Sequence, residues 1–225
     1  MTHANTGRTP HSVFITGASG FMGRALIAAL LSRGHKVRAL ARQASQHRIP
    51  AGAEVIVGNA LDPSSFAATI APADTLVHLI GTPHPGPGKR AGYRKVDLHS
   101  VDAALEAASA AGVRHFVYVS VAQPAPIMWS YIAVRQVAES RIRASGIPAT
   151  ILRPWYVLGP GRHWPGILAP IYALCELLPA TRNAAGRLGM VTLEQMVRAL
   201  VQATERAPCG ARIIEVPGIR DAGKA

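Results

Sequence analysis

The sequence predicts an α/β fold: a doubly wound parallel sheet with helices on both faces and a small C-terminal subregion over the strand ends. Three observations predict it. Short β-branched runs alternate with longer Ala/Leu-rich segments through the first two-thirds of the chain. Gly34, Gly112 and Gly146 each sit just past a long segment, where a left-handed cap residue is wanted. A glycine-rich turn joins the first short run to the first long segment.

The short runs are Ser12–Thr16, Lys36–Leu40, Glu54–Val57, Thr75–Ile80, His115–Ser120 and Ala149–Leu152. They are apolar and bounded by turn residues, as strands buried on both faces are. Between them, Phe21–Ser32, Pro63–Ile70, Lys95–Ala111 and Ser130–Ser145 have helical length and periodicity. Right-handed crossovers then place a ligand site outside the carboxyl ends of the strands. After Arg153 the alternation weakens; a helix at Leu193–Glu205 and a strand at Arg212–Val216 follow. The expectation is one domain over residues 1–225, with a flexible N-terminus at 1–11 and a substrate-side or lid segment at 154–190.

Hydrophobic residues make up 49% and charged ones 16%, which places the chain among globular proteins rather than disordered ones. The net charge of +12 attracts polyanions, so nucleic acid and anionic membrane are the classes to weigh. The basic residues are dispersed and lack interleaved aromatics, which disfavours nucleic acid and fits a phosphate-bearing ligand. Cys175 and Cys209 lack metal spacing and read as reduced thiols of a cytoplasmic protein, and the histidines suggest no metal site. No leader-like apolar segment follows Met1. The apolar stretch Ile167–Leu178 is broken by Pro170 and Glu176 and reads as a buried or lid helix, with peripheral membrane contact as the alternative.

The turn after the first strand reads Thr16-Gly17-Ala18-Ser19-Gly20-Phe21-Met22-Gly23, a G-x-x-G-x-x-G spacing. Glycines let the backbone approach a pyrophosphate, and the helix N-terminus offers its free N–H groups to the phosphates. Placed between the first strand and first helix of a βαβ pattern, this marks a Rossmann dinucleotide site built from Gly17 through Gly23. An NAD(H) site usually offers an acid at the end of the second strand. Here no Asp or Glu precedes Glu54; instead Arg42 ends the second strand and Arg24 follows the last glycine. Guanidinium groups clasp a 2′-phosphate in bidentate fashion, so NADP(H) is expected over NAD(H).

These residues resemble the short-chain dehydrogenase/reductase superfamily, in particular its atypical NAD(P)-binding branch, related to the sugar-nucleotide epimerases. The other markers are Val77-His78-Leu79-Ile80-Gly81, Val117-Tyr118-Val119-Ser120, Leu152-Arg153-Pro154 and Leu158-Gly159-Pro160-Gly161, in the family's order and spacing over nearly the whole chain. The resemblance implies that Asn59 and Ala60 lie by the adenine, with Asn59 where relatives carry Asp. It implies Gly81 beside the adenine ribose, and Arg153, Pro154 and Trp155 near the nicotinamide.

The resemblance also implies a catalytic pair, Tyr-x-x-x-Lys, on the helix after the fifth strand, with a nearby serine. The chain has Tyr131 in place but Arg135 where the family has lysine. Arginine supplies charge to depress the tyrosine pKa, yet its planar fork is not a compact ammonium. Ser120 is the serine at hand, and Asp97 stands where extended relatives often carry a structural asparagine. The expected roles are Tyr131 as proton donor, Arg135 as its electrostatic partner and Ser120 as an oxyanion contact, with Trp155, Trp164 and Ile167–Leu178 lining an apolar pocket. The implied activity is NADP(H)-dependent reduction of a small carbonyl or quinone-like substrate. The alternatives are a non-catalytic NADP(H) redox sensor and a structural subunit of a membrane-associated respiratory assembly. Oligomeric state is not readable from these residues.

Overall fold

The computed structural model describes residues 9–82, 92–125, 127–160, 186–206 and 209–222. Its main sheet has seven parallel strands in the order β3-β2-β1-β4-β5-β6-β9. These are β1 (Ser12–Thr16), β2 (Lys36–Ala41), β3 (Glu54–Val57), β4 (Thr75–His78), β5 (His115–Val119), β6 (Ala149–Arg153) and β9 (Ala211–Glu215). The strand order reverses between β1 and β4, and a crevice opens outside the strand ends at such a switch point. A second, two-stranded parallel sheet pairs β7 (Tyr156–Leu158) with β8 (Met190–Thr192). Since β7 begins just past β6, this sheet extends from the carboxyl edge of the main one.

Alternation along each strand divides the core in two. Val13 and Ile15 of β1, with Val117 and Val119 of β5, face one side. There α1 (Phe21–Ser32) and α4 (Leu193–Glu205) bury Leu26, Ile27, Leu30, Met196 and Leu200 against them. Phe14, Phe116 and Tyr118 face the other side, against α2 (His99–Ala110) and α3 (Trp129–Ala144). A closing α5 (Val216–Asp221) starts with proline in its first turn, where the missing N–H costs nothing.

Several boundaries differ from expectation. Pro63–Ile70 is not one helix but two 3₁₀ turns, Pro63–Ser65 and Ala67–Thr69. Asp62 caps the first through the Ser64 N–H at 3.1 Å. Phe66 then leaves helical geometry at φ −144°, which lets both Phe66 and Ile70 reach full burial. The helix expected over Lys95–Ala111 begins as a π-helical turn, Tyr93–Leu98, and only then becomes α2. β4 stops at His78 and β5 at Val119, and β7, β8 and α5 carry no sequence signal noted above.

Candidate active site

The glycine turn is shaped by close backbone contacts. Gly17 sits at φ +73°, and a Cβ there would lie 2.9 Å from the carbonyl carbon of Leu79, past the end of β4. A Cβ on Gly23 would lie 2.5 Å from the carbonyl oxygens of both Gly17 and Ala18. Gly20 donates its N–H to the Gly17 carbonyl at 3.0 Å, closing the turn. Ala18 is fully buried, Met22 packs on the core, and Ser19 reaches the hydroxyl of Ser45 at 3.4 Å. α1 then follows Gly20, its N-cap, with no side chain capping it and no acid in its first turn. Its positive dipole end is therefore not neutralised from within α1. Phe21 roofs this start: a Cβ on Gly159, at the end of β7, would lie 2.6 Å from its ring.

Beneath the turn, His78 at the end of β4 links three elements. Ser100 has one hydroxyl proton and donates it to the Asp97 carbonyl at 3.1 Å. The ring Nε2–H therefore donates to Ser100 at 3.2 Å, and Nδ1 accepts from Thr16 at 2.8 Å. Burial, helped by the nearby Arg135 charge, lowers the His78 pKa to about 3, so the ring is neutral and this tautomer is fixed.

The arginines separate into used and unused. Arg38 grips Glu54 through two bonds of 2.8 and 2.9 Å and caps the Thr69 carbonyl. Arg24 and Arg42 are exposed and, among the described residues, contact no acid. Asn59 is exposed, and its side-chain oxygen accepts the Leu61 N–H at 3.1 Å, an Asx turn that leaves the amide donors facing out. Ala60 beside it is half-buried.

The residues expected to be catalytic lie along α3. Positions i, i+4 and i+8 share one helix face, and here they are Tyr131, Arg135 and Glu139. Arg135 is 3% exposed, so every bond it makes decides its role. Its Nε donates to the Tyr131 hydroxyl at 3.1 Å. One terminal nitrogen donates to the Tyr118 hydroxyl at 2.7 Å and the Val119 carbonyl at 3.2 Å. The other donates to Asp97 at 2.6 Å. Asp97 is 1% exposed and also accepts the Thr82 N–H at 3.0 Å and its hydroxyl. Gly81 is where this cluster needs room, because a Cβ there would collide with the guanidinium.

Burial pushes the Tyr118 phenol up to about 12 against the pull of Arg135. Burial also pushes Tyr131 above its ordinary value, and Arg135 offsets that without reversing it. The expected depression of the Tyr131 pKa is thus not what this geometry gives. Burial opposes the Arg135 charge, but Tyr118, Tyr131 and Asp97 together hold it above its ordinary value, fully cationic.

Ser120 is placed away from this group. Its hydroxyl donates to Glu139 at 2.6 Å. Glu139, 1% exposed, also accepts from Gln123 at 2.8 Å, from Arg153 at 2.9 Å and from Arg143 at 2.8 Å. Burial alone would raise the carboxyl, but bonds from Arg153 and Ser120 hold it below its ordinary range. A hydroxyl has one proton, and that of Ser120 is on Glu139; the oxyanion contact expected of Ser120 is not available in this arrangement. Pro154 is buried and accepts the Ala122 N–H at 2.9 Å, tying the end of β6 to the loop before α3. Trp155 is buried in the core, while Trp164 and Ile167–Leu178 lie outside the described residues.

A family described as NAD(P)H-binding matches residues 17–162. The chain belongs to this family. It is 30% identical over 213 residues to the ceramide reductase of Caulobacter vibrioides, covering 94% of this chain and 66% of that protein. It is 31% identical over 155 residues to an uncharacterized sugar epimerase of Bacillus subtilis, covering 63% of this chain and 70% of that protein. A short-chain dehydrogenase/reductase superfamily protein from Agrobacterium tumefaciens, solved with bound NAD, superposes with a TM-score of 0.67 at 21% identity, covering 91% and 77% of the two chains.

The glycine turn has the form that a diphosphate requires. The turn packs on the end of β4 and on itself only because Gly17 and Gly23 lack side chains, and the helix end behind them is uncapped by any side chain. By contrast, a surface cavity of about 740 Å³ lined by His11, Arg33 and Glu205 opens at the opposite, amino edge of β1 and has no part in this site. Two residues of the site, Gln123 and Glu139, are not singled out by the sequence reading. Glu139 was findable, as an acid four residues past Arg135 on a helix face otherwise turned inward. Among the described residues no helix is long and apolar enough to cross a membrane.

Proposed function

We propose that this chain is an NADP(H)-dependent reductase of a small carbonyl or quinone-like compound, with Tyr131 as the proton donor. One observation carries the reading: the Tyr131 oxygen accepts from Arg135 Nε, so its own O–H is left to donate elsewhere. The bound dinucleotide supplies the hydride. Tyr131 gives its proton to the substrate oxygen as negative charge develops there. The phenolate left behind lies against the Arg135 guanidinium, whose carbon is 5.0 Å from the ring centre, and regains its proton from solvent. Gly17 through Gly23 hold the diphosphate, and Arg42 with Arg24 take the 2′-phosphate. Asn59 and Ala60 border the adenine, Gly81 the ribose, and Pro154 the nicotinamide. The likeness to a named reductase over 94% of this chain supports the reducing direction.

The second reading, a non-catalytic NADP(H) sensor, is favoured by one fact: Arg135 is held by Asp97, Tyr118 and Val119, unlike a lysine free to hold a ribose. Oxidation of NADPH against a carbonyl and quinone panel separates the two. Turnover that falls by about 10²- to 10⁴-fold in Tyr131→Phe, with NADPH affinity by calorimetry unchanged, is expected of the reductase. NADPH binding without turnover anywhere on the panel leaves the sensor.

A further inference from the structure

Resting on the reading of Tyr131 as proton donor, we propose that Asp97 is a positioning residue: it neutralises Arg135 so that the site works as an acid and reduces its substrate. The observation is a buried ion pair placed against a phenol. Asp97 Oδ1 lies 2.6 Å from Arg135, and the side chains of the two are 1% and 3% exposed. At this depth the pair interacts with little screening. A lone buried cation four residues along the helix would stabilise the Tyr131 phenolate and make the phenol a ready base. With Asp97 in contact, Tyr131 faces a pair of zero net charge.

The remaining surroundings of Tyr131 do not restore the lost field. From the π-helical turn, Tyr93 packs edge-on at 5.1 Å between ring centres, and Asp97 comes from the same turn. From β5, Tyr118 shares the Arg135 guanidinium. Among the charges that act on Tyr131, Arg135 is the leading cation and Asp97 the leading carboxylate. The placement of Asp97 is itself well fixed, since Thr82 donates to it from both backbone and hydroxyl. The consequence is directional. Reduction needs Tyr131 protonated and proceeds at neutral pH. Alcohol oxidation, in which Tyr131 would receive the substrate proton, needs the phenolate and rises only toward alkaline pH.

The test does not depend on turnover. Tyrosine labelled with ¹³C at Cζ is incorporated, the Tyr131 signal is assigned by its loss in Tyr131→Phe, and its titration is followed in the intact chain. In Asp97→Asn the side chain keeps an acceptor for Arg135 but loses its charge. The Tyr131 midpoint is expected to fall by about one to three pH units, the range for a newly uncompensated charge at contact distance. The pH profile of any NADPH-dependent reduction shifts down by the same amount. An unchanged midpoint overturns the proposal. If Asp97→Asn does not fold, the double variant Asp97→Asn, Arg135→Gln decides: a midpoint near that of the parent supports a pair that is neutral toward Tyr131, and one raised by a unit or more overturns it. A midpoint that moves in a protein without turnover would preserve the electrostatics and remove the reductase reading alone.

Discussion

Helix α3 buries two ionic clusters on one face, a turn apart, and they end differently. Around Arg135, the guanidinium is bonded on every side, yet Tyr131 keeps an unassigned proton. Around Glu139, both carboxylate oxygens are filled by Ser120, Gln123, Arg143 and Arg153, and Arg153 goes on to Glu215 at 2.9 Å. Each cluster sums to zero net charge, Arg135 with Asp97 in one and Glu139 and Glu215 with Arg143 and Arg153 in the other. What separates them is whether any donor is left over. On the function proposed above, the first cluster passes a proton to a ligand; the second fastens α3 to the ends of β5, β6 and β9.

The largest expected effect follows from that contrast. Glu139→Gln removes the charge that Arg153 and Arg143 face and leaves buried donors without a full partner. Breaking a buried pair from one side costs about 3–5 kcal/mol. Thermal denaturation should show a fall in Tm on the order of 10 °C for a chain of this size. The Tyr131→Phe protein, by comparison, should melt close to the parent while losing its rate. Similar losses of stability in both would erase the distinction between a fastening cluster and a reacting one.

A smaller effect is set by pH. Burial lowers His78 to about 3, and lowers His115 to about 4 against the opposing charge of Asp74. Both rings fold neutral, while in the unfolded chain they take up protons near pH 6.5. Below that value the unfolded chain binds more protons than the folded one. Stability is therefore full above about pH 6.5 and declines as pH falls, by about 1.4 kcal/mol per pH unit for each ring, down to about pH 4 for His115 and about pH 3 for His78. The lowered Glu139 carboxyl acts with the same sign, its contribution being lost as pH falls through its folded value. Denaturant midpoints from pH 7 to 4 measure this. A flat profile would mean that the Thr16–His78–Ser100 bridge opens to water.

The parts of the fold that were legible from sequence are those encoded locally. The glycine turn specifies its own geometry within seven residues, and strand alternation in β1 and β5 sorts Val13 and Val117 from Phe14 and Phe116 without outside help. The replacement of lysine by Arg135 was visible for the same reason. Its consequence was not, because Asp97 is 38 residues away and meets it only when the π-helical turn packs on α3. Ser120 is a similar case: its partner Glu139 lies 19 residues on, and strand-end position alone does not say where the hydroxyl turns. Pro63–Ile70 failed differently, since tertiary burial of Phe66 and Ile70 overrode a helical pattern of moderate strength.

Ser120 offers the finest division between the two clusters, and the smallest expected effect. If its hydroxyl serves Glu139, Ser120→Ala removes one bond to a charged acceptor, worth about 1.5–3 kcal/mol, and Glu139 retains its other donors to soften the loss. The reduction rate at saturating substrate should then change by less than about tenfold, well short of the loss expected when a donor to a developing oxyanion is removed. A rate loss of a hundredfold with unchanged Tm would reverse the assignment. It would mean that the hydroxyl swings from Glu139 toward the ligand when the site fills, and that the fastening cluster takes part in the reaction.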